Sequence, residues 1–124
     1  MSNTWSRVVI TGVGLTCPIG NNLVEFRKNL LAGKSGIKHY EAEFMGSVLA
    51  GVCEFDEIQY QNKKDRKRGT RAGSIGIYCS HEALLDAQID FDNYDKSRTG
   101  VYVGITEHGG PEVIKEFCNY SAYF

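Results

Sequence analysis

The chain has 124 residues, 42% of them hydrophobic and 23% charged, with a formal net charge of −1. That length and composition describe one soluble globular domain with a core. The near-neutral balance excludes a global electrostatic pull toward nucleic acid, and no apolar run approaches the ~18–20 residues of a membrane span.

Residues 1–7 lack a basic start followed by an apolar stretch, so no secretory signal is visible. The four cysteines, Cys17, Cys53, Cys79 and Cys118, lie far apart with no Cys-x-x-Cys pair. That spacing argues against a structural zinc site and gives no disulfide framework. They read as reduced thiols of a cytoplasmic protein, mostly small core residues.

Residues 8–15 are almost wholly apolar and β-branched, broken by Thr11, Gly12 and Gly14. A continuous apolar run predicts a strand buried on both faces of a parallel sheet. The two glycines permit close backbone packing there. Pro18 and Gly20 end the strand. Asn21 or Asn22 caps a helix whose apolar face is Leu23, Phe26, Leu30 and Leu31, and Gly33 terminates it. Residues 34–44 read as irregular, 47–55 as a short strand and 59–62 as loop.

A basic cluster follows: Lys63, Lys64, Arg66, Lys67, Arg68 and Arg71, interrupted by Asp65. It leads into a helix over about 70–88, on which Ala72, Ile75, Cys79, Ala83 and Ala87 repeat at helical steps. Basic side chains at a helix N-terminus oppose its dipole, a mild cost that makes a functional reason more attractive. Residues 90–96 read as a polar loop and 99–105 as a second strand. After a loop at 106–110, Pro111 opens a helix with Val113, Ile114 and Phe117 on its apolar face. The final aromatics, without a cap or polar tail, read as an artificial or early stop. Strands alternating with helices predict an α/β fold with parallel pairing, part of a layered architecture and not all of one.

Three segments in order carry a family resemblance. Val9-Ile10-Thr11-Gly12-Val13-Gly14 precedes Cys17-Pro18-Ile19-Gly20-Asn21. Leu30-Leu31-Ala32-Gly33-Lys34-Ser35-Gly36-Ile37 follows. Ala83-Leu84-Leu85-Asp86-Ala87 then leads to Thr99-Gly100-Val101-Tyr102-Val103-Gly104. Together they resemble the opening of a β-ketoacyl-acyl carrier protein synthase, although family members usually have a small hydroxyl residue at position 17. The resemblance implies a thiolase-like layered fold, of which residues 1–124 are an incomplete N-terminal part, with 8–15 and 99–105 as neighbouring strands. It implies fatty acid or polyketide synthesis by decarboxylating Claisen condensation of acyl and malonyl thioesters, with no cofactor and no metal. The family uses a nucleophilic cysteine and two histidines.

No cysteine here suits that chemistry, which needs a low-pKa thiol. Cys17 precedes a proline, Cys53 sits in the weak strand, Cys79 lies on an apolar helix stripe, and Cys118 is late in its helix, where the dipole disfavours a thiolate. His39 and His81 read as surface or satisfied histidines. His108-Gly109-Gly110 resembles a family histidine motif only weakly and in the wrong order. The catalytic residues are therefore expected to be absent, and the chain inactive alone.

The resemblance assigns acyl carrier protein binding to Lys64, Lys67, Arg68 and Arg71, through attraction of an acidic partner. It assigns Ile105, Thr106, Glu107 and His108 to a loop beside the acyl pocket, where they depart from the family's small Gly-rich pattern. An open sheet edge predicts a homo-oligomer. The rival reading is a non-catalytic synthase-like module that binds acyl carrier protein or a partner synthase. A nucleotide-binding domain is disfavoured: the third glycine of a Gly-x-Gly-x-x-Gly fingerprint would fall on Cys17, and Pro18 intrudes on the turn.

Overall fold

A computed structural model describes residues 6–42, 45–106 and 109–121. The elements, in order, are α1 (Leu23–Leu31), β1 (Ile37–Ala42), β2 (Gly46–Gly51), α2 (Lys63–Arg68), α3 (Arg71–Asp86) and α4 (Gly110–Ser121). A short 3₁₀ turn, Lys96–Arg98, lies between α3 and α4.

Local chemistry sets the helix ends. The Asn22 side chain accepts the amide of Glu25 at 2.9 Å, and the Glu25 carboxylate accepts the amide of Asn21 at 2.9 Å. The first satisfies a donor that the first turn leaves open, and the second ties the residue before the cap to the helix. At the other end Gly33 takes φ +66, the amide of Gly33 reaches Leu30 O at 3.0 Å, and that of Lys34 reaches Asn29 O at 3.0 Å. That pairing is a Schellman ending, and glycine meets its left-handed position without strain. Thr70 caps α3 by accepting the amide of Gly73 at 3.1 Å. The end of α3 repeats the same pattern with Gln88 at φ 52, where a side chain is uncommon.

The helix expected after Asn21 or Asn22, the one expected over about 70–88 and the one expected from Pro111 correspond to α1, α3 and α4. The strand predictions do not. The only paired strands among the described residues are β1 and β2, antiparallel, in the register Ile37↔Gly51 through Ala42↔Gly46. The segment read as irregular therefore supplies one strand of a hairpin, and the weak strand ends at Gly51. Residues 8–15 and 99–105 form no ladder, so the expected parallel pairing between them is absent. The molecule mixes helices with a two-stranded sheet, which keeps the α/β class without parallel layering. The physical reason is that an apolar run records what a segment is suited to be buried against. A ladder also needs a neighbour at the right distance. Val8 is 95% exposed and Val101 is 85% exposed, so that neighbour is not in place.

Residues 12–14 do find one partner. A Cβ at Gly12 would meet Ala83 O and lie 2.7 Å from the Ala87 Cβ; one at Gly14 would meet Cys79 O and lie 2.5 Å from Ala83 N. The two glycines let this segment lie directly on the backbone of α3. Asp86 completes the contact by accepting the amide of Val13 at 2.9 Å.

The small core sits on the other side of α3. Tyr78 and Ser74 are buried there. Phe55 meets the Tyr78 ring edge-on at 5.1 Å, Tyr60 lies 5.5 Å from Tyr78, and His81 stacks on Tyr60 at 4.6 Å. No described helix is long and apolar enough to cross a membrane.

Candidate functional site

The basic cluster forms a helix of its own, α2, which the sequence pattern did not reveal. Asn62 caps it by accepting the amide of Asp65 at 2.9 Å, and Gly69 closes it. The cost expected from basic residues at the start of α3 is thereby reduced to Arg71, while Lys63 and Lys64 bear it in the first turn of α2. Arg66, Lys67 and Arg68 occupy the last turn of α2, where the dipole favours cations, while Asp65 sits in its first turn. Among the basic side chains of the prediction, only Arg71 stands in the first turn of α3.

Lys64, Lys67 and Arg68 fall at i, i+3 and i+4 and share one exposed face of α2. None of the three forms an ion pair among the described residues. Arg66 and Arg71 differ. Both pair with the carboxylate of Glu57, Arg66 through Nε and Arg71 through Nη1. Arg71 also donates through Nη2 to Cys53 O, and its guanidinium lies 5.5 Å from the Phe55 ring centroid. The four residues grouped by the sequence reading thus divide into an outward set of three and an inward-tethered Arg71. Glu57 was missed, and only its charge among neighbouring loop residues could have drawn attention to it.

None of the four cysteines is in a disulfide. Cys17 donates to Gly20 O at 3.4 Å within its turn, and Cys53 donates to Thr16 O at 3.7 Å. Burial pushes the Cys79 thiol above its ordinary value, which keeps it protonated and unreactive at neutral pH. Cys118 is exposed on α4. Of the two described histidines, His39 is on the exposed face of β1 and His81 is stacked on Tyr60. Among the described residues no group of three or more His, Cys, Asp or Glu side chains could hold a metal ion. The phosphate turn of the disfavoured nucleotide reading is occupied as well, since Gly12 and Gly14 lie against the backbone of α3.

A model of the β-ketoacyl synthase N-terminal domain matches residues 6–119. The chain belongs to the β-ketoacyl synthase family. It is 35% identical over 113 residues to a 3-oxoacyl-[acyl-carrier-protein] synthase 2 of Vibrio cholerae, covering 88% of this chain and 27% of the relative. The corresponding Synechocystis synthase is 32% identical over 89% of this chain and 27% of its own length. A granaticin polyketide putative β-ketoacyl synthase 1 of Streptomyces violaceoruber is 35% identical over 79% of this chain and 24% of its own. The chain thus spans about a quarter of the length of the curated relatives it matches.

Within this synthase N-terminal portion, the loop expected beside the acyl pocket is only partly visible. Ile105 is half exposed and Thr106 is exposed, while Glu107 and His108 lie outside the described residues.

Proposed function

We propose that residues 1–124 are an incomplete N-terminal part of a 3-oxoacyl-[acyl-carrier-protein] synthase of fatty acid or polyketide synthesis. The whole enzyme condenses an acyl and a malonyl thioester with loss of carbon dioxide. The new carbon–carbon bond gives a 3-oxoacyl product. This chain contributes binding surface and framework to that reaction, and burial of Cys79 in α3 disfavours its thiolate. Alone, it forms no 3-oxoacyl product.

The carrying observation is the exposed face Lys64, Lys67 and Arg68, free of ion pairs among the described residues. A small cationic face suits an acidic carrier protein. It speeds encounter and fixes orientation, and salt weakens it. Arg71, tethered to Glu57, contributes charge at the edge of that face more than direct contact. The family resemblance assigns Ile105 to His108, at the end of the apolar segment 99–105 and just beyond it, to the acyl-pocket side. The reduced thiols suit a cytoplasmic setting. The uncovered apolar segments suit association with further copies of the chain.

The test is binding of the chain to holo-acyl carrier protein over a range of salt. Replacing Lys64, Lys67 and Arg68 together by alanine should weaken binding at low salt at least about tenfold, three rim charges at roughly 0.5 kcal/mol or more each. Retention of the parent affinity and salt dependence would remove the assignment of this face.

A further inference from the structure

We propose that Glu57 is a positioning residue for carrier-protein recognition: its carboxylate holds α2 against α3 and thereby aims the Lys64, Lys67 and Arg68 face. The proposal rests on the reading of that face given above.

The geometry is specific. The Glu57 side chain is 19% exposed, and each of its oxygens takes a different arginine. One, Arg66, is on α2; the other, Arg71, is in the first turn of α3. The connection between the two helices is Gly69 and Thr70, a short joint with extended backbone at both residues. A six-residue helix cannot hold its own orientation, because one turn and a half of hydrogen bonds barely offsets its nucleation cost. The carboxylate therefore spans the joint that most needs fixing.

Glu57 is itself anchored. Its carbonyl accepts the Gln61 side-chain amide at 2.5 Å, and the same Gln61 nitrogen donates to Ser74 Oγ at 2.8 Å. Ser74 is only 2% exposed, on the buried side of α3. The Arg71 guanidinium is held further by Cys53 O and the Phe55 ring. A chain of contacts thus runs from the core of α3 through Glu57 to Arg66. On the far side of α2 from this anchor lie the cations that carry no partner among the described residues. Two arginines are consumed by the clamp so that Lys64, Lys67 and Arg68 share a fixed direction.

Charge and position give opposite signs here, which makes the proposal testable. Glu57→Gln removes a negative charge beside a cationic face. Electrostatic steering alone makes such a variant bind an acidic partner more tightly. Loss of the clamp makes it bind more weakly. Binding of the full chain to holo-acyl carrier protein should fall at least about threefold in Glu57→Gln at low salt, and the gap from the parent should close as salt screens the contact. Unchanged or tighter binding overturns the proposal, and so does a deficit that persists undiminished at high salt, the mark of general destabilisation. Glu57→Asp keeps the charge but is one methylene too short to reach both arginines. It too should bind more weakly than the parent; equal affinity overturns the proposal, so the test survives if Glu57→Gln does not fold. The triple alanine variant separates the two readings. If it loses binding while both Glu57 variants match the parent, only the role of Glu57 falls. If it binds like the parent, the reading of the basic face falls with it.

Discussion

Every polar group of Asn21 is engaged in holding one turn. Its amide donates to Glu25, its side-chain nitrogen to Glu54 O at 2.7 Å, its side-chain oxygen accepts from Thr16 Oγ1 at 2.8 Å, and its carbonyl accepts from Tyr78 at 3.0 Å. The sequence showed two asparagines able to cap α1; Asn22 does so, and Asn21 instead ties the turn to the core. Short-range roles such as the Asn22 cap and the Gly33 ending are legible because their partners lie within five residues. The bonds from Asn21 to Glu54 and Tyr78 are not, because nothing local encodes a partner that far along the chain. Tyr60 is a second case. Its hydroxyl donates to Glu82 at 2.5 Å, and that bond, with burial adding to it, raises the phenol from the ordinary 10.0 to about 12. A pKa raised in the folded state means the folded chain holds this proton more tightly than the unfolded chain. The resulting stability is fully present below pH 10.0 and is lost as pH rises through about 12. Denaturation midpoints should therefore fall over that alkaline window, and Tyr60→Phe should flatten the fall. If Tyr60 ionises together with the exposed tyrosines in a spectrophotometric titration, the bond to Glu82 is not kept.

At the scale of elements, helices and strands were not equally readable. A helix satisfies its own backbone, so caps and spacing foretold α1, α3 and α4 from nearby residues. The exception is α2, which has no apolar face and six residues, and left only Asn62 and Gly69 as signals. Strands take their hydrogen bonds from elsewhere, so the apolar runs at 8–15 and 99–105 gave composition without a partner. The hairpin was overlooked for the converse reason. Lys38, His39 and Glu41 make β1 too polar to stand out, so the strand expected at 47–55 had no visible partner. What the sequence did reveal correctly was the close approach at Gly12 and Gly14. Gly14→Ala should cost about 3 kcal/mol, at the upper end for overpacking, because the atoms it meets are main chain. A urea melt checks this; an unchanged midpoint would mean that residues 12–14 do not rest on α3 in solution.

The whole molecule exposes 10907 Å² of surface, where a compact monomer of its 13.8 kDa would expose about 6,600 Å². The excess, about 4,300 Å² on one chain, is far more than the roughly 800 Å² that each partner gives to a standard interface. Much of it is apolar: Val8, Ile10, Val101, Tyr102 and Val103 are each more than three-quarters exposed, and Val113, Ile114 and Phe117 line an open face of α4. That much hydrocarbon in water favours self-association, at roughly 25 cal/mol per Å² covered. Sedimentation velocity of the purified chain should show dimers or larger species, with the fraction rising with concentration. A monomer that persists across the accessible range would contradict this. The α/β class and the family could be read from the sequence because they rest on local patterns in order. How little of the apolar surface finds cover could not, because burial belongs to the assembled molecule.

The contact of Gly14 with α3 also bears on the genetics of the protein. The atoms that a side chain at position 14 would strike are the carbonyl of Cys79 and the amide of Ala83, present whatever residues stand there. No shrinking substitution on α3 can make room for it. Intragenic suppressors of a Gly14 lesion should therefore be absent at positions 79 and 83, and any that arise must act by moving a main chain.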